Sequence, residues 1–459
     1  MRKHRQEQQL ALQGGIKAVS SIEGKGKPKI GREEFMAVAK RFGFSAATLK
    51  AIRSAVNAED VGMGPFLANY YSDLPETCVQ SFERTAREAF GVKYAIGASS
   101  GTAALHAAFV AVGVGPGTEV ICPAIGFMAT AAAVLAANGV PVFCDVDASL
   151  SMDPKKVEAL ITSRTVAIAP TCVMGSVPDM AALMRVARKH KLRVVEDCAQ
   201  SCGASFKGKL VGTFGDVGCF SISAYKTVGA GEGGLIITNS KSVWERANQL
   251  AECGGLWRPD RFAPPRYDGE LFPGTNYRMS ELEAAIDAVQ ITKMAATAAR
   301  FRTAKQQIVS RLKTFREVIP QKLNDPEGEV GYLLRFYPQT MDLGKRIVAA
   351  LRAEGVGCGM RGENGSPDWH QYSWMYPVTG KCGHTEVKCP WECPIYTQRG
   401  GKVSYSRGDC PNADDLYDRV ITVSLNQWYS ARDCRNIANA INKVLSAYCT
   451  EDAKAAGWR

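Results

Sequence analysis

Cys219-Phe220-Ser221-Ile222-Ser223-Ala224-Tyr225-Lys226-Thr227-Val228-Gly229-Ala230-Gly231-Glu232-Gly233-Gly234 is the stretch that decides how this chain is read. An apolar, strand-like run gives way to small residues, one lysine and a glycine-rich turn. Strand character then resumes at Leu235–Thr238, so that one strand leads almost directly into the next, a local departure from simple βα alternation. Burial disfavours an ammonium ion, so Lys226 in this setting is pushed toward the neutral amine, a nucleophile able to form a Schiff base with an aldehyde. An ion pair or a snorkelling stem is the plainer role for a single lysine. Other segments decide between these.

Working outward, short apolar runs rich in β-branched residues recur at Tyr94–Ala98, Glu119–Cys122, Val140–Asp145, Thr165–Ala169, Arg193–Glu196, Gly218–Ile222 and Leu235–Thr238. Helical patterns lie between them at Thr102–Val112, Phe127–Asn138, Pro154–Thr162 and Met180–His190, with caps at Ser99 or Ser100, Asp153-Pro154 and Pro178-Asp179. Strands that lack polar alternation and are separated by helices predict an α/β fold, with a mainly parallel seven-stranded sheet covered on both faces. Leu282–Lys313 reads as one or two long helices. Beyond about Phe315, strands at Val330–Tyr337 and Arg419–Leu425 and a helix at Cys434–Tyr448 predict a smaller C-terminal α/β part. The expected organisation is a basic leader and helical segment over 1–60, a large domain over 61–315, and a small domain with a Cys-rich insertion over 316–459.

The chain has 459 residues, 46% of them hydrophobic and 22% charged, as in ordinary globular proteins. No apolar run is long enough to span a bilayer, and the N-terminus has no apolar core behind its charges, so neither a membrane span nor a secretory signal is expected. The net charge of +11 comes partly from Lys17, Lys25, Lys27, Lys29 and Arg32, which follow the initial basic cluster. That segment lacks the aromatic interleaving of a nucleic-acid arm and reads as a solvated leader. Fifteen cysteines scattered through apolar segments do not form a disulfide framework; they suit buried thiols in a reducing cytoplasm.

Several further segments share one chemistry. Asp197 ends the buried run Val194-Val195-Glu196, where open α/β sheets place ligands. A carboxylate there would keep a pyridine nitrogen protonated, and Gln200 could bond a ring hydroxyl. Ser100, Gly101 and Thr102 open a helix after a strand, a ready phosphate site. Ser221 could donate to the same phosphate, and Phe127 could stack on a planar ring. A lysine together with an aspartate at a strand end is the pair that pyridoxal 5'-phosphate (PLP) requires. Each residue has a plainer alternative, namely a helix cap, a loop amide or a core aromatic ring.

Taken in order, Ser100-Gly101-Thr102-Ala103-Ala104-Leu105, Pro123 to Thr130, Glu196-Asp197-Cys198-Ala199-Gln200, Gly215 to Gly234 and Gly274-Thr275-Asn276-Tyr277-Arg278-Met279 resemble the DegT/StrS family of PLP-dependent sugar aminotransferases, which have the aspartate-aminotransferase fold (fold type I). The resemblance covers roughly residues 60 to 315. It implies Lys226 as the lysine that anchors PLP and Asp197 as the partner of the ring nitrogen. It places Gln200 on the ring oxygen and Phe127 on the ring face. Gly101, Thr102 and Ser221 fall on the phosphate, and Asn276 reaches the phosphate of a neighbouring subunit, which implies a homodimer with shared sites. The implied reaction moves an amino group from an amino acid, glutamate being the usual donor, to a keto-sugar.

The sequence also departs from the family pattern. Pro170-Thr171-Cys172-Val173-Met174-Gly175 lacks a histidine often found near Cys172, and the surroundings of Lys226 are unusual. Family members that dehydrate sugars carry histidine at the lysine position, so Lys226 speaks for transamination over dehydration or deoxygenation. A PLP-binding regulatory protein is the reading from a different class. The C-terminal part resembles the branch containing 8-amino-octulosonate transaminases. Within it His370 and Tyr372, together with Arg278 upstream, are candidate substrate contacts. Cys382, Cys389, Cys393 and Cys410 or His384 have ligand types that suit zinc, although free thiols fit the irregular spacing better and no metal is expected.

Overall fold

The computed structural model describes residues 9–21, 30–56, 67, 75–255, 263–362, 365, 367–383 and 386–458. Residues 1–73 and 74–459 form two compact units. The first holds helices Arg32–Arg41 and Ala46–Ala55, and Ser45 caps the second by accepting the Thr48 N–H at 3.2 Å.

The second unit is built on seven strands: β1 (Tyr94–Ala98), β2 (Glu119–Pro123), β3 (Val140–Cys144), β4 (Thr165–Ile168), β5 (Arg193–Asp197), β6 (Val217–Ser221) and β7 (Gly234–Thr238). Their order across the sheet is β1-β7-β6-β5-β4-β2-β3, and β7 runs antiparallel to both its neighbours while the other pairs are parallel. The sheet is therefore mainly parallel, as the sequence predicts. The antiparallel pair β6–β7 is the one joined by the Lys226 segment, which holds a turn and a glycine strap in place of a crossover helix.

Both faces of the sheet are buried, and alternate residues feed different cores. Val120 and Cys122 enter one core while Ile121 enters the other; Val195 and Val194 divide in the same way. The helices that cover these faces are α1 (Cys78–Phe90), α2 (Gly101–Ala111), α3 (Ala129–Ala136), α4 (Met180–His190), α5 (Lys241–Ala251), α6 (Glu281–Thr292) and α7 (Met294–Val309). Helix α2 is alanine-rich and apolar nearly all round, as a helix enclosed on several sides must be. The expected helix at 154–162 shortens to Pro154–Val157 followed by a 3₁₀ turn, and that at 127–138 to Ala129–Ala136. Helix α1 is an addition to the sequence reading. Its signature was present in Thr77 and Gln80, which form a reciprocal capping box.

A second, four-stranded antiparallel sheet contains β8 (Val318–Pro320), β9 (Leu333–Pro338), β10 (Cys358–Met360) and β11 (Ile421–Ser424), in the order β8-β9-β11-β10. Helices α8 (Met341–Ala353) and α10 (Ala431–Tyr448) pack on it, and α9 (Pro411–Arg419) precedes β11. The connection from β10 to β11 does not join the small core. Tyr372, Met375, Trp391, Tyr396, Tyr405 and Cys410 from this connection enter a core of the large sheet instead. Tyr405 Oη donates to the Pro141 carbonyl at 2.7 Å and Tyr396 Oη to Glu119 at 3.0 Å, so the connection is stitched to β2 and β3.

Glu281, at the start of α6, is buried and accepts the N–H groups of Cys78 at 2.7 Å and Val79 at 3.1 Å. It satisfies amide groups that α1 cannot satisfy internally. Replacing Glu281 with Ala is expected to destabilise the fold by about 1–3 kcal/mol, read as a lowered denaturation midpoint. Glu281→Gln should recover part of the loss, because it keeps one acceptor.

Candidate active site

Parallel strands direct their carboxyl ends to one edge of the sheet, and the candidate residues gather there. Strand β5 ends in two adjacent acids, which alternation sends in opposite directions. Glu196 is fully buried and accepts the N–H groups of Gly212, Phe214 and Gly215 at 2.6–2.8 Å. Burial pushes its carboxyl up to about 7 against those three bonds. Glu196 thus holds the turn that leads into β6. Asp197 faces the other way and is only 3% exposed. It accepts the Thr130 Oγ1–H at 2.6 Å and the Ala199 N–H at 3.1 Å. Burial raises its carboxyl, while these two bonds and the charge of Lys226 act to lower it.

Lys226 follows the β6 end in a turn closed by its own N–H on the Ser223 carbonyl at 2.9 Å. Burial lowers its amine, and the negative charge of Asp197 opposes that. The two groups therefore sense one another across the strand ends. The opposed shifts describe a buried acid short of a positive partner beside an amine that releases its proton readily.

Gln200 is fixed by its side-chain oxygen, which accepts the Met174 N–H at 2.8 Å. Met174 adopts a left-handed conformation at φ 51°. The Gln200 carbonyl accepts from Gly175 N–H at 3.1 Å and Tyr332 Oη at 2.9 Å. With the oxygen used, the Gln200 amide NH₂ is the group available to a ligand oxygen. At the start of α2, Ser100 Oγ accepts the Ala103 N–H at 3.0 Å, and the amides of Gly101 and Thr102 begin the helix without i−4 acceptors. A methyl group on Gly101 would lie 2.7 Å from Ser221 Cβ, and one on Gly234 would lie 2.2 Å from the Ser100 carbonyl oxygen. Only glycine permits this approach, which sets Ser221 beside the helix start.

Phe127 is 42% exposed, and its ring lies 5.3 Å from that of His370, at 51°. The connection from β10 to β11 reaches this point by backbone pairing: Gly126 N–H donates to the His370 carbonyl at 2.8 Å, and Tyr372 N–H to that of Ala124 at 2.9 Å. His370 Nδ1 lies 2.8 Å from Asp368 Oδ1, and Tyr417 Oη donates to Asp368 Oδ2, also at 2.8 Å. Burial would raise Asp368, but the bonds from His370 and Tyr417 hold it well below the usual carboxylate range. The imidazole is thereby oriented with Nε2 as its remaining polar atom.

Tyr372 departs from the sequence expectation. It is fully buried, and its hydroxyl is engaged with the Ser406 carbonyl, the Cys410 N–H and Asp414 at 3.0–3.2 Å. It pins the connection and has no free group for a substrate. Asn276 and Arg278 are exposed; Asn276 Oδ1 accepts the Arg278 N–H at 3.1 Å, and Arg278 Nη1 reaches Glu252 at 3.2 Å. Among the described residues no group of three or more His, Cys, Asp or Glu side chains is placed to hold a metal. Cys410 is buried with Sγ 3.9 Å from the Phe143 carbonyl, whereas Cys382 and Cys389 are exposed; His384 lies outside the described residues. All fifteen cysteines are free thiols. Sequence reasoning passed over Thr130 and the Asp368–Tyr417 support. Thr130 carried a signal, since a hydroxyl three residues after Phe127 stands one turn along the same helix entry.

This donor set fits PLP. It offers a buried carboxylate lacking a cation, an amine of lowered basicity, a free amide NH₂, and a helix start where glycines open space. Residues 74–363 match the DegT/DnrJ/EryC1/StrS aminotransferase family. The chain belongs to this family. It is 33% identical to a UDP-N-acetyl-3-dehydro-alpha-D-glucosamine 3-aminotransferase from Acidithiobacillus ferrooxidans over 77% of the chain and 85% of that protein. It is 37% identical to an L-glutamine:2-deoxy-scyllo-inosose aminotransferase from Streptomyces lividus over 79% of the chain and 85% of that protein. The solved aminotransferase of Psychrobacter cryohalolentis superposes with a TM-score of 0.67 at 25% identity, covering 83% of the chain and 93% of its own length. The fold is that of type I aminotransferases, and the chain is a sugar aminotransferase, as the sequence reading expects.

Thr130 gives the site a direct test. Thr130→Val removes the hydroxyl that holds Asp197 and leaves the shape nearly unchanged. A hydrogen bond to a charged group is worth about 1.5–3 kcal/mol, so kcat/KM is expected to fall roughly tenfold to a hundredfold, measured in a coupled amino-transfer assay. Thr130→Ser should retain most activity.

Proposed function

We propose that this enzyme transfers the amino group of L-glutamine or L-glutamate to the carbonyl of a keto-sugar or keto-cyclitol, using PLP held by Lys226, Asp197, Gln200, Ser100, Gly101, Thr102, Ser221 and Phe127. The observation that carries the reading is the pair at the ends of neighbouring strands: the buried Asp197 held by Thr130, and Lys226 in the turn after β6, each within the other's field. Bound there, PLP supplies an aldehyde for the amine and an electron sink for the carbanion.

The residues divide the remaining work. Lys226 would hold the cofactor through the neutral amine that burial favours, and as a free amine it would be the base that moves the substrate Cα proton. Asp197, held by Thr130 and Ala199, keeps the ring nitrogen protonated and is in turn relieved of its unpaired burial. Gln200 donates its NH₂ to the ring oxygen. The α2 start and Ser221 receive the phosphate, where amide dipoles favour an anion. Phe127 covers one side of the ring, and His370 beside it offers Nε2 to a sugar hydroxyl. Arg278 is the second substrate candidate, with its guanidinium shared with Glu252.

The exposed Asn276 side chain supports a homodimer in which it completes the phosphate site of the neighbouring subunit. Among the described residues no helix is long and apolar enough to cross a membrane, and the many free thiols suit the cytoplasm. The donor follows from the names of relatives: several are L-glutamine:2-deoxy-scyllo-inosose aminotransferases, such as that of Streptomyces fradiae, 43% identical over 46% of this chain. The sequence expectation of glutamate is therefore widened to include glutamine.

Loaded protein is expected to be yellow. Addition of L-glutamine or L-glutamate alone should bleach the colour, and a keto-sugar or keto-cyclitol from a substrate panel should restore it. Lys226→Ala should lose about 10²–10⁴-fold in turnover. Colourless protein that takes up no PLP would overturn the proposal.

A further inference from the structure

Asp287, in the middle of α6, is used by none of the roles above. It is fully buried, and neither carboxylate oxygen has a hydrogen-bond partner among the described residues. An isolated polar group is normally paired when buried, so an exception next to a catalytic loop calls for a reason. The wall that Asp287 faces is the glycine strap that closes the Lys226 segment. A methyl group on Gly233 would lie 3.5 Å from Asp287 Oδ2, 3.0 Å from Met279 Cε and 3.6 Å from Ile222 Cβ.

The strap and the lysine segment are paired directly. Ile222 N–H donates to the Gly233 carbonyl at 2.9 Å, Ala230 N–H to that of Ile222 at 3.1 Å, and Ala224 N–H to that of Gly231 at 2.9 Å. Gly231 and Gly233 have φ of +136° and +148°, which glycine alone adopts without strain. Gly233 is thus tied to Ile222, and Gly231 to Ala224, two residues before Lys226.

The charge that acts on Asp287 is that of another acid, Glu283. Glu283 stands one turn earlier on α6, raised by burial. Glu232 belongs to the strap, and its charge acts on Glu283. The Cys202 thiol, in the turn after β5, is pushed up to about 12 by burial and by Asp287. On α1, which packs against α6, Glu83 accepts the Gly97 N–H at 2.9 Å and is pushed up to about 7 by burial, while the charge of Arg87 on the same helix acts to lower it. No cation is paired with Asp287 among the described residues. Burial, with the charge of Glu283 added, pushes its own carboxyl up to about 8.

We propose that Asp287 is a positioning residue that lets the glycine strap, and through it Lys226, keep its place only while the carboxyl holds its proton, so that its ionisation sets an upper pH limit on activity. A neutral carboxylic acid can lie against the strap backbone. A carboxylate there lies unpaired beside the strap and the charge of Glu283, and is driven toward water, which displaces the strap. The sign is fixed by linkage. The unfolded carboxyl titrates near 3.9 and the folded one near 8. Between these values the unfolded chain has released a proton that the folded protein retains, so stability falls as pH rises across the window and levels off above it.

The link to Lys226 rests on the proposed function, whereas the ionisation does not, and the experiment separates them. Thermal midpoints and kcat/KM of the full chain loaded with PLP are measured from about pH 5 to about pH 9.5, for the native protein and Asp287→Asn. Asp287→Leu is carried alongside in case the amide fails to fold. The expected results are a smaller decline of midpoint with pH in the variants, and an alkaline limb of kcat/KM that moves up by about one pH unit or vanishes. At pH 7 the Asn variant should keep activity within about threefold. Superimposable midpoint profiles would overturn the ionisation, whether or not the protein turns over. Altered midpoints with an unmoved alkaline limb would overturn the coupling to Lys226.

Discussion

A buried carboxylate and a half-buried amine lie within each other's field at the ends of β5 and β6, and much of the chain serves to keep them there. Neither group is stable alone in its setting. Burial raises Asp197 and lowers Lys226, and each charge offsets part of the other's cost. The pair is positioned by covalent economy, since Asp197 ends one strand and Lys226 leaves its immediate neighbour, with Asp197 opposite Cys219 in the register. The antiparallel entry of β7 is part of the same device. It removes the crossover helix that would otherwise follow β6 and replaces it with the lysine turn and its glycine strap.

Much of this was legible in the sequence because local chemistry and topology agree there. The seven apolar runs became the seven strands within a residue or two at each end, since strands buried on both faces tolerate few polar positions. The acid at a strand end, the lysine before a glycine run and the hydroxyl residues at a helix start each carried a plainer meaning singly. Their order along the chain gave them a shared one. Helix α1 escaped notice although Thr77 and Gln80 form a capping box, because the preceding segment gave no apolar periodicity to pair with it.

What the sequence did not show was long-range. Tyr372 read as a substrate contact because it neighbours His370, but backbone pairing of this segment with Ala124–Gly126 turns its hydroxyl into the protein. Thr130 stands one turn after Phe127 in the sequence, but its partner, an aspartate 67 positions later, is set by the tertiary fold. The connection between β10 and β11 reads as an appendage of the small sheet, yet its aromatic residues complete a core of the large one. That placement brings His370 to Phe127 and makes one wall of the site from residues far along the chain. Fold and cofactor chemistry are thus written in short segments, whereas the wall that selects an acceptor depends on tertiary contacts.

The central claim is that Lys226 is the residue that holds the cofactor. Borohydride reduction of PLP-loaded protein fixes a Schiff base as a stable amine, and peptide mass spectrometry then locates it. The account predicts a single phosphopyridoxyl adduct on the peptide containing Lys226, formed in the native chain and absent after treatment with excess L-glutamine. An adduct on another lysine, or none in protein shown to contain PLP, would contradict it.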